Sequence, residues 1–327
     1  LLRLMNTPEE LMSDSILYLR IYFAGVFFVF IYNTGAGLLR ALGDSRRPLY
    51  CLMICCVINI VLDLLLIVGL GLGVAGAAIA TLLSQGISAV IVTVFLMRQK
   101  DLCDFSLKEI RIHPKLLKSE LLLGLPGGFQ YAMYSISNMI IQSALNKFGT
   151  DTVAAWAAYG KLDAIVWMVS GAFGIAITTF VGQNYGAGKY DRAKQTLRYA
   201  MMIAIGFGLV VSILIQFIAA PVVGLFTADA AVILLGAQYI RGYIWDCIFA
   251  GVHFSFSGYF CACGRSGISF LHNLIAILCV RIPGVSLPSK IFPHTLFPMG
   301  LATATGSLLS VIICIIAYRW LCEKSGK

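Results

Sequence analysis

The sequence predicts an all-α polytopic membrane protein of nine transmembrane helices, and three observations carry that prediction. The first is composition. Hydrophobic residues make up 59% of the chain and charged residues only 12%, with a mean hydropathy of +0.89, whereas a water-soluble domain has about 25% charged residues. The second is length: the apolar residues fall in blocks of 22 to 31, and about 20 residues cross a hydrocarbon core of about 30 Å. The third is the placement of charge, because the basic residues crowd into alternate connections between the blocks.

In chain order the predicted spans are 16–39, 49–70, 73–97, 121–145, 152–182, 199–225, 232–260, 268–289 and 295–318. Such blocks are too long for membrane strands, and only helices or closed barrels satisfy their own backbone in lipid. Residues 1–15 are mixed polar and lack a small-residue cleavage site, so they do not read as a cleavable signal. Most of the ten cysteines lie inside apolar blocks and read as small apolar filler. Cys261 and Cys263 are too close for a usual zinc pair, and no His sits at ligand spacing, so no metal or other cofactor is expected.

Most of the 24 basic residues occupy alternate connections: Arg40, Arg46 and Arg47; Arg98 to Lys118; Lys189 to Arg198; Arg265; and Arg319 to Lys327. The other connections hold only Arg3, Lys147 and Lys290. Basic loops stay in the cytoplasm, so the N-terminal end of this chain is expected outside the cell membrane and the C-terminus inside. The net charge of +9 is then a topology signal rather than a nucleic-acid footprint.

An internal repeat organises the spans. An offset of 221 residues places Tyr18-Leu19-Arg20 over Tyr239-Ile240-Arg241, Gly37 over Gly258, and Arg40-Ala41-Leu42-Gly43 over Cys261-Ala262-Cys263-Gly264. Both matched loops follow helices running inward, so the repeats are parallel, related by an axis along the membrane normal. Residues 1–97 then read as a partial N-lobe of three spans, 98–119 as a cytoplasmic linker, and 120–327 as a complete C-lobe of six. Equal halves imply three further helices ahead of Leu1, so the chain is expected to be an N-terminally truncated sequence.

Leu39-Arg40-Ala41-Leu42-Gly43-Asp44-Ser45, followed by Pro48, resembles the loop after the fourth helix of the multidrug and toxic compound extrusion (MATE) family. Gly182-Gln183-Asn184-Tyr185-Gly186-Ala187-Gly188-Lys189, with Asp191-Arg192-Ala193, resembles that family's loop after the eighth helix, and Gly124-Leu125-Pro126 the opening of its seventh. In the second loop Gly186 and Gly188 permit the positive φ of a tight turn, and Asp191 is expected to cap the next helix. The resemblance runs in order over nearly the whole chain, as the family's helices four to twelve. It implies a monomer of two helical bundles that rock to antiport organic, often cationic, compounds against Na+ or H+.

The candidate coupling site comes from the few ionisable groups inside the spans, each expensive in lipid unless paired or hydrated. Asn59 and Asp63 are i and i+4 on one helix face. Asp63 lies about 10 Å from the outer end of its span and Thr81 about 12 Å deep on the next, so the two can face each other across neighbouring antiparallel helices. A carboxylate, an amide and a hydroxyl at one depth suit a hard cation, or a proton exchanged at physiological pH. The resemblance supports this set, since one branch's N-lobe cation site matches Asn59, Asp63 and Thr81, joined by an aspartate on the first helix. Possible cavity-lining residues are Gln130, Tyr134, Asp163 and Asp246. Arg281, just before Pro283, is expected to snorkel or pair, and His253 and His272 to be packed neutral side chains.

An enzyme is not expected. The chain holds no His-Glu-x-x-His, no Gly-x-Ser-x-Gly elbow and no Gly-rich phosphate loop. The rival function is a lipid-linked oligosaccharide flippase of a related fold, which would want cations along its cavity; Lys161 and Arg281 are the candidates.

Overall fold

The computed structural model describes residues 9–98, 111–145, 150–286 and 295–324. Arg3, Lys147, Lys290, Lys327 and most of the predicted linker lie outside them. The chain divides into two compact units, Leu1–Ile112 and His113–Lys327, and the described residues of both are helical apart from short turns.

The first unit holds α1 (Glu9–Ala41), α2 (Arg46–Asp63) and α3 (Gly73–Arg98); directly after α2, residues Leu64–Gly69 continue as a π-helical turn. The middle member is α3, against which α1 and α2 both pack. Leu39, Val92 and Leu96 close the core between α1 and α3, flanked by Tyr32, Leu38 and Phe95.

The second unit holds α4 (Pro114–Leu145), α5 (Thr150–Gly186), α6 (Tyr190–Gly224), α7 (Ala230–Tyr243), α8 (Asp246–Ala262), α9 (Ser266–Ala276), α10 (Ile282–Ser286) and α11 (Phe297–Lys324), with a second π turn, Ile277–Arg281, between α9 and α10. Its hub is α8, which packs on α5, α6, α9 and α11. Twelve of the 17 residues of α8 are buried, so protein rather than lipid surrounds it.

The repeat is visible in the helix ends. At Gly43 the amides of Leu42, Gly43 and Asp44 reach the carbonyls of Leu38, Arg40 and Leu39. At Gly264 the amides of Cys263, Gly264 and Arg265 reach those of Tyr259, Cys261 and Phe260, the same three bonds at the same offset of 221. Both glycines have positive φ, 91° and 74°, which closes the last turn as a Schellman motif and satisfies carbonyls that end a helix. Gly188, φ 71°, ends α5 with the same pattern. Asp191 does not cap α6: Lys189 occupies the cap position without a side-chain bond, and Asp191 falls in the first turn, where the helix dipole's positive end favours its negative charge.

Seven helical stretches among the described residues are long and apolar enough to cross a membrane: Met12–Ala41, Arg46–Gly69, Gly73–Arg98, Ala154–Gly186, Tyr190–Gly224, Ser266–Val285 and Phe297–Cys322. This makes a multi-pass membrane protein, but by that criterion only seven of the nine predicted spans. Predicted span 121–145 falls in α4, where Gly, Pro, Ser, Gln and Asn dilute the apolar residues. Predicted span 232–260 breaks at Ile244–Trp245 into α7 and α8. Two polar side chains of α6 complete the break: Ser212 Oγ donates to the Ile244 carbonyl (2.9 Å) and Gln216 Nε2 to the Arg241 carbonyl (3.0 Å). In lipid such freed carbonyls must find protein donors.

Next to the break, α7 and α11 touch backbone to backbone. A Cβ on Gly242 would overlap the Phe297 carbonyl, and one on Gly300 the Tyr239 carbonyl; small residues permit this approach in membranes. Gly300→Val is therefore expected to destabilise the protein by about 1–3 kcal/mol, seen as a lowered thermal midpoint in detergent. Gly206→Ala, where a Cβ meets open space, should leave the midpoint unchanged.

Candidate functional site

In the first unit, Asp63 is the last residue of α2 before the π turn, with Asn59 one turn earlier and Thr81 on the packed neighbour α3. All three are half-buried. The Thr81 hydroxyl donates to the Ala77 carbonyl of its own helix (3.0 Å), leaving its lone pairs free to accept. Asp63 Oδ1 is shielded from solvent and has no hydrogen-bond partner among the described residues. The structure thus places the three residues on adjacent helices without linking them by a hydrogen bond. What remains is an oxygen acceptor held out of water with no donor among the described residues.

In the second unit a larger polar cluster has formed, centred on Arg281. This residue ends the π turn after α9, is 7% exposed and does not snorkel. Its Nη2 donates to Asn138 Oδ1 on α4 (3.0 Å), and its guanidinium lies 5.5 Å from the ring centre of Tyr134. The Tyr134 hydroxyl donates to Asn273 Oδ1 (2.6 Å), and its ring meets Trp167 edge-on. Asp163 accepts from the Tyr243 hydroxyl on α7. Asp246 is 5% exposed, in the first turn of α8, where the helix dipole favours an anion. The hydroxyls of Ser307 and Tyr243 lie beside it, yet its Oδ1 has no partner. Arg281 forms an ion pair with neither carboxylate, although both are within its electrostatic reach.

A cavity of about 20 Å³ opens among Tyr134, His253, Asn273, Arg281, Thr303 and Ser307, room for roughly one water or small ion. Among the described residues, Arg281 Nε, His253 Nδ1 and Thr303 Oγ1 on its wall have no hydrogen-bond partner. The chamber is far too small for an organic substrate. Among the described residues no group of three or more His, Cys, Asp and Glu could hold a metal ion, so any cation here would draw most of its ligands from hydroxyl, amide and carbonyl oxygens.

Of the predicted cavity residues, Tyr134, Asp163 and Asp246 meet in this cluster, whereas Gln130 lies apart and accepts from Ser269 (3.2 Å). His272 is packed as expected, between Ser257 and Ser310. Lys161 lies over the Phe226 ring at 5.3 Å. Sequence reasoning missed Tyr243, Asn138 and Asn273, although Tyr159/Asp163 and Tyr239/Tyr243 are both i,i+4 pairs on helices that pack together. Replacing Arg281 with Met would remove the cation whose field reaches Asp163 and Asp246 and leave Asn138 without its donor, at a cost of about 1–3 kcal/mol. Adding Asp163→Asn should recover part of that loss. Thermal unfolding of the single and double variants measures the coupling; strict additivity would show that Asp163 and Arg281 do not interact.

Comparison with known proteins follows this geometry. The MatE family profile matches residues 1–65 and 126–287. The probable multidrug resistance protein YpnP of Bacillus subtilis (strain 168) is 32% identical over 98% of this chain and 71% of its own length. The probable multidrug resistance protein YoeA of the same organism is 31% identical over 77% of this chain and 56% of its own. The chain therefore spans part of the length of each relative. A crystal structure of a MATE transporter from Vibrio cholerae superposes with a TM-score of 0.90 over 99% of this chain and 73% of that one, at 20% identity, and so speaks for the fold alone.

Proposed function

The chain belongs to the MatE family, whose members are membrane transporters rather than enzymes, and from that premise we propose that it serves secondary active multidrug efflux. In this reading two helical bundles, 1–97 and 120–327 with 98–119 between them, rock to carry small organic compounds outward in exchange for Na+ or H+. The names of the relatives support the substrate class. One observation carries the coupling: Asp63, inside a candidate span, holds an oxygen away from water with no hydrogen-bond donor among the described residues. An antiporter needs a site that a cation neutralises and then vacates, and Asp63 with Asn59 and Thr81 supplies the oxygens for it. The expensive state is the empty one, which is what makes the exchange obligatory.

A second reading, favoured by the unpartnered Asp246 oxygen and the water-sized chamber beside it, puts the coupling carboxylate in the second unit. The flippase alternative is less well supported, because Arg281 is engaged inside its own bundle and Lys161 covers an aromatic ring. In vesicles carrying the protein, Asp63→Asn is expected to abolish dye efflux driven by an imposed sodium or proton gradient, and Asn59→Ala and Thr81→Ala to weaken it. Asn is nearly isosteric and adds no buried charge, so insertion should persist. Wild-type efflux from Asp63→Asn, with loss from Asp246→Asn, would move the coupling site to the second unit.

The same proposal fixes orientation, with the turns at Arg46, Lys189 and Arg265 cytoplasmic. Single cysteines there, in a background without native thiols, should resist a membrane-impermeant reagent added outside, and one at Asp229 should react. Outside labelling at Lys189 would reverse the topology.

A further inference from the structure

The transport reading leaves unused a second cavity of about 320 Å³ at the basic end of the second unit. It lies where the C-terminal ends of α5, α8 and α11 meet the start of α6, and the Gly188 and Gly264 turns form part of that end. Its walls include Tyr185, Lys194, Tyr259, Arg265 and Tyr318, and no carboxylate lines it. Lys194 and Arg265 come from different helix starts, and among the described residues neither forms an ion pair. Asp191, one turn before Lys194, is not among its walls; it lines the adjoining cavity, which Lys194 also borders beside Lys189 and Arg192. The aromatic walls are built rather than incidental: Tyr259 meets Tyr318 edge-on at 5.5 Å, and Tyr185 meets Tyr190 at 5.1 Å. Tyr259 is nearly buried.

Two cations converge on a concave, aromatic-walled space that no carboxylate lines, so the complementary ligand is an anion. An ammonium, a guanidinium and phenolic hydroxyls are all hydrogen-bond donors, and a tetrahedral phosphate presents enough acceptor oxygens to engage donors from several directions at once. The cavity is large enough for a phosphate with a short polar substituent, and it sits at the ends of membrane helices, where headgroups lie. We infer that this cavity binds a phosphate-bearing anion, either the headgroup of an anionic phospholipid or a soluble phosphate. Binding there would tie α6, α8 and α11 together at one membrane face.

The test is native mass spectrometry of the purified protein, equilibrated with equal amounts of phosphatidylglycerol and phosphatidylcholine. Wild type should retain phosphatidylglycerol preferentially, and Lys194→Gln and Arg265→Gln should each lower that retention about fivefold. Arg192→Gln, outside the cavity, should leave it unchanged. Displacement by excess glycerol phosphate identifies a soluble phosphate as the ligand, and resistance to it identifies the lipid; either supports the site. Equal retention of the two lipids by wild type, or retention unaffected by the double Gln variant, would overturn it. The pair Lys194→Arg and Arg265→Lys preserves charge and guards against misfolding: it should bind like wild type, and loss of binding in it would also count against the inference.

Discussion

Hydrocarbon offers no hydrogen bonds, so every polar group inside a span must be answered by the protein itself. Much of the structure follows from that constraint. The hydroxyls of Thr81, Ser84, Ser88 and Thr93 bond back to carbonyls of α3. The glycine turns at Gly43, Gly188 and Gly264 fold amides back onto the last carbonyls of α1, α5 and α8. Where the chain breaks between α7 and α8, Ser212 and Gln216 lean across from α6. Against such satisfaction, the unanswered atoms among the described residues stand out, and they include oxygens of Asp63, Asp246 and Thr303 and nitrogens of Arg281 and His253. They are where a moving ion or water would be welcomed.

The two units resolve this constraint differently. In the first, a single carboxylate stands at the junction of an α-helix and a π turn, a local irregularity often found at functional sites. In the second, two carboxylates share the field of one arginine without pairing, and tyrosines from α4, α5 and α7 surround them. The second arrangement is held by side chains from several helices and costly to disturb, even with one Asp246 oxygen unpartnered; in the first, Asp63 Oδ1 has no side-chain donor among the described residues. That contrast is the physical reason for assigning coupling to Asp63 and an organising role to Arg281.

The sequence disclosed the helical membrane class, the loop repeat and the family, because long apolar blocks and Gly-centred turns are local signals. Gly43 and Gly264 were matched by spacing alone, and the structure gives them the same three hydrogen bonds. The break at Ile244–Trp245 was hidden because an apolar run continues through it, and its support comes from α6, some thirty residues away. Arg281, near Pro283, reads as a residue that snorkels or pairs, and nothing local announces that Asn138 and Tyr134 of α4 will receive it. Tyr243 and Asp163 each sat in visible i,i+4 pairs, but joining them needed the knowledge that α5 packs on α7. Tertiary pairing, rather than local pattern, was the missing information.

The central claim is that Asp63 is the carboxylate whose charge is alternately neutralised and released. Infrared difference spectroscopy of the protein in lipid, with Na+ or pH as the perturbation, reads this directly from the protonated carboxyl stretch. The account predicts a band that disappears on adding Na+ or raising pH, is missing in Asp63→Asn, and persists in Asp163→Asn and Asp246→Asn. A band that survives in Asp63→Asn and vanishes in Asp246→Asn would contradict it.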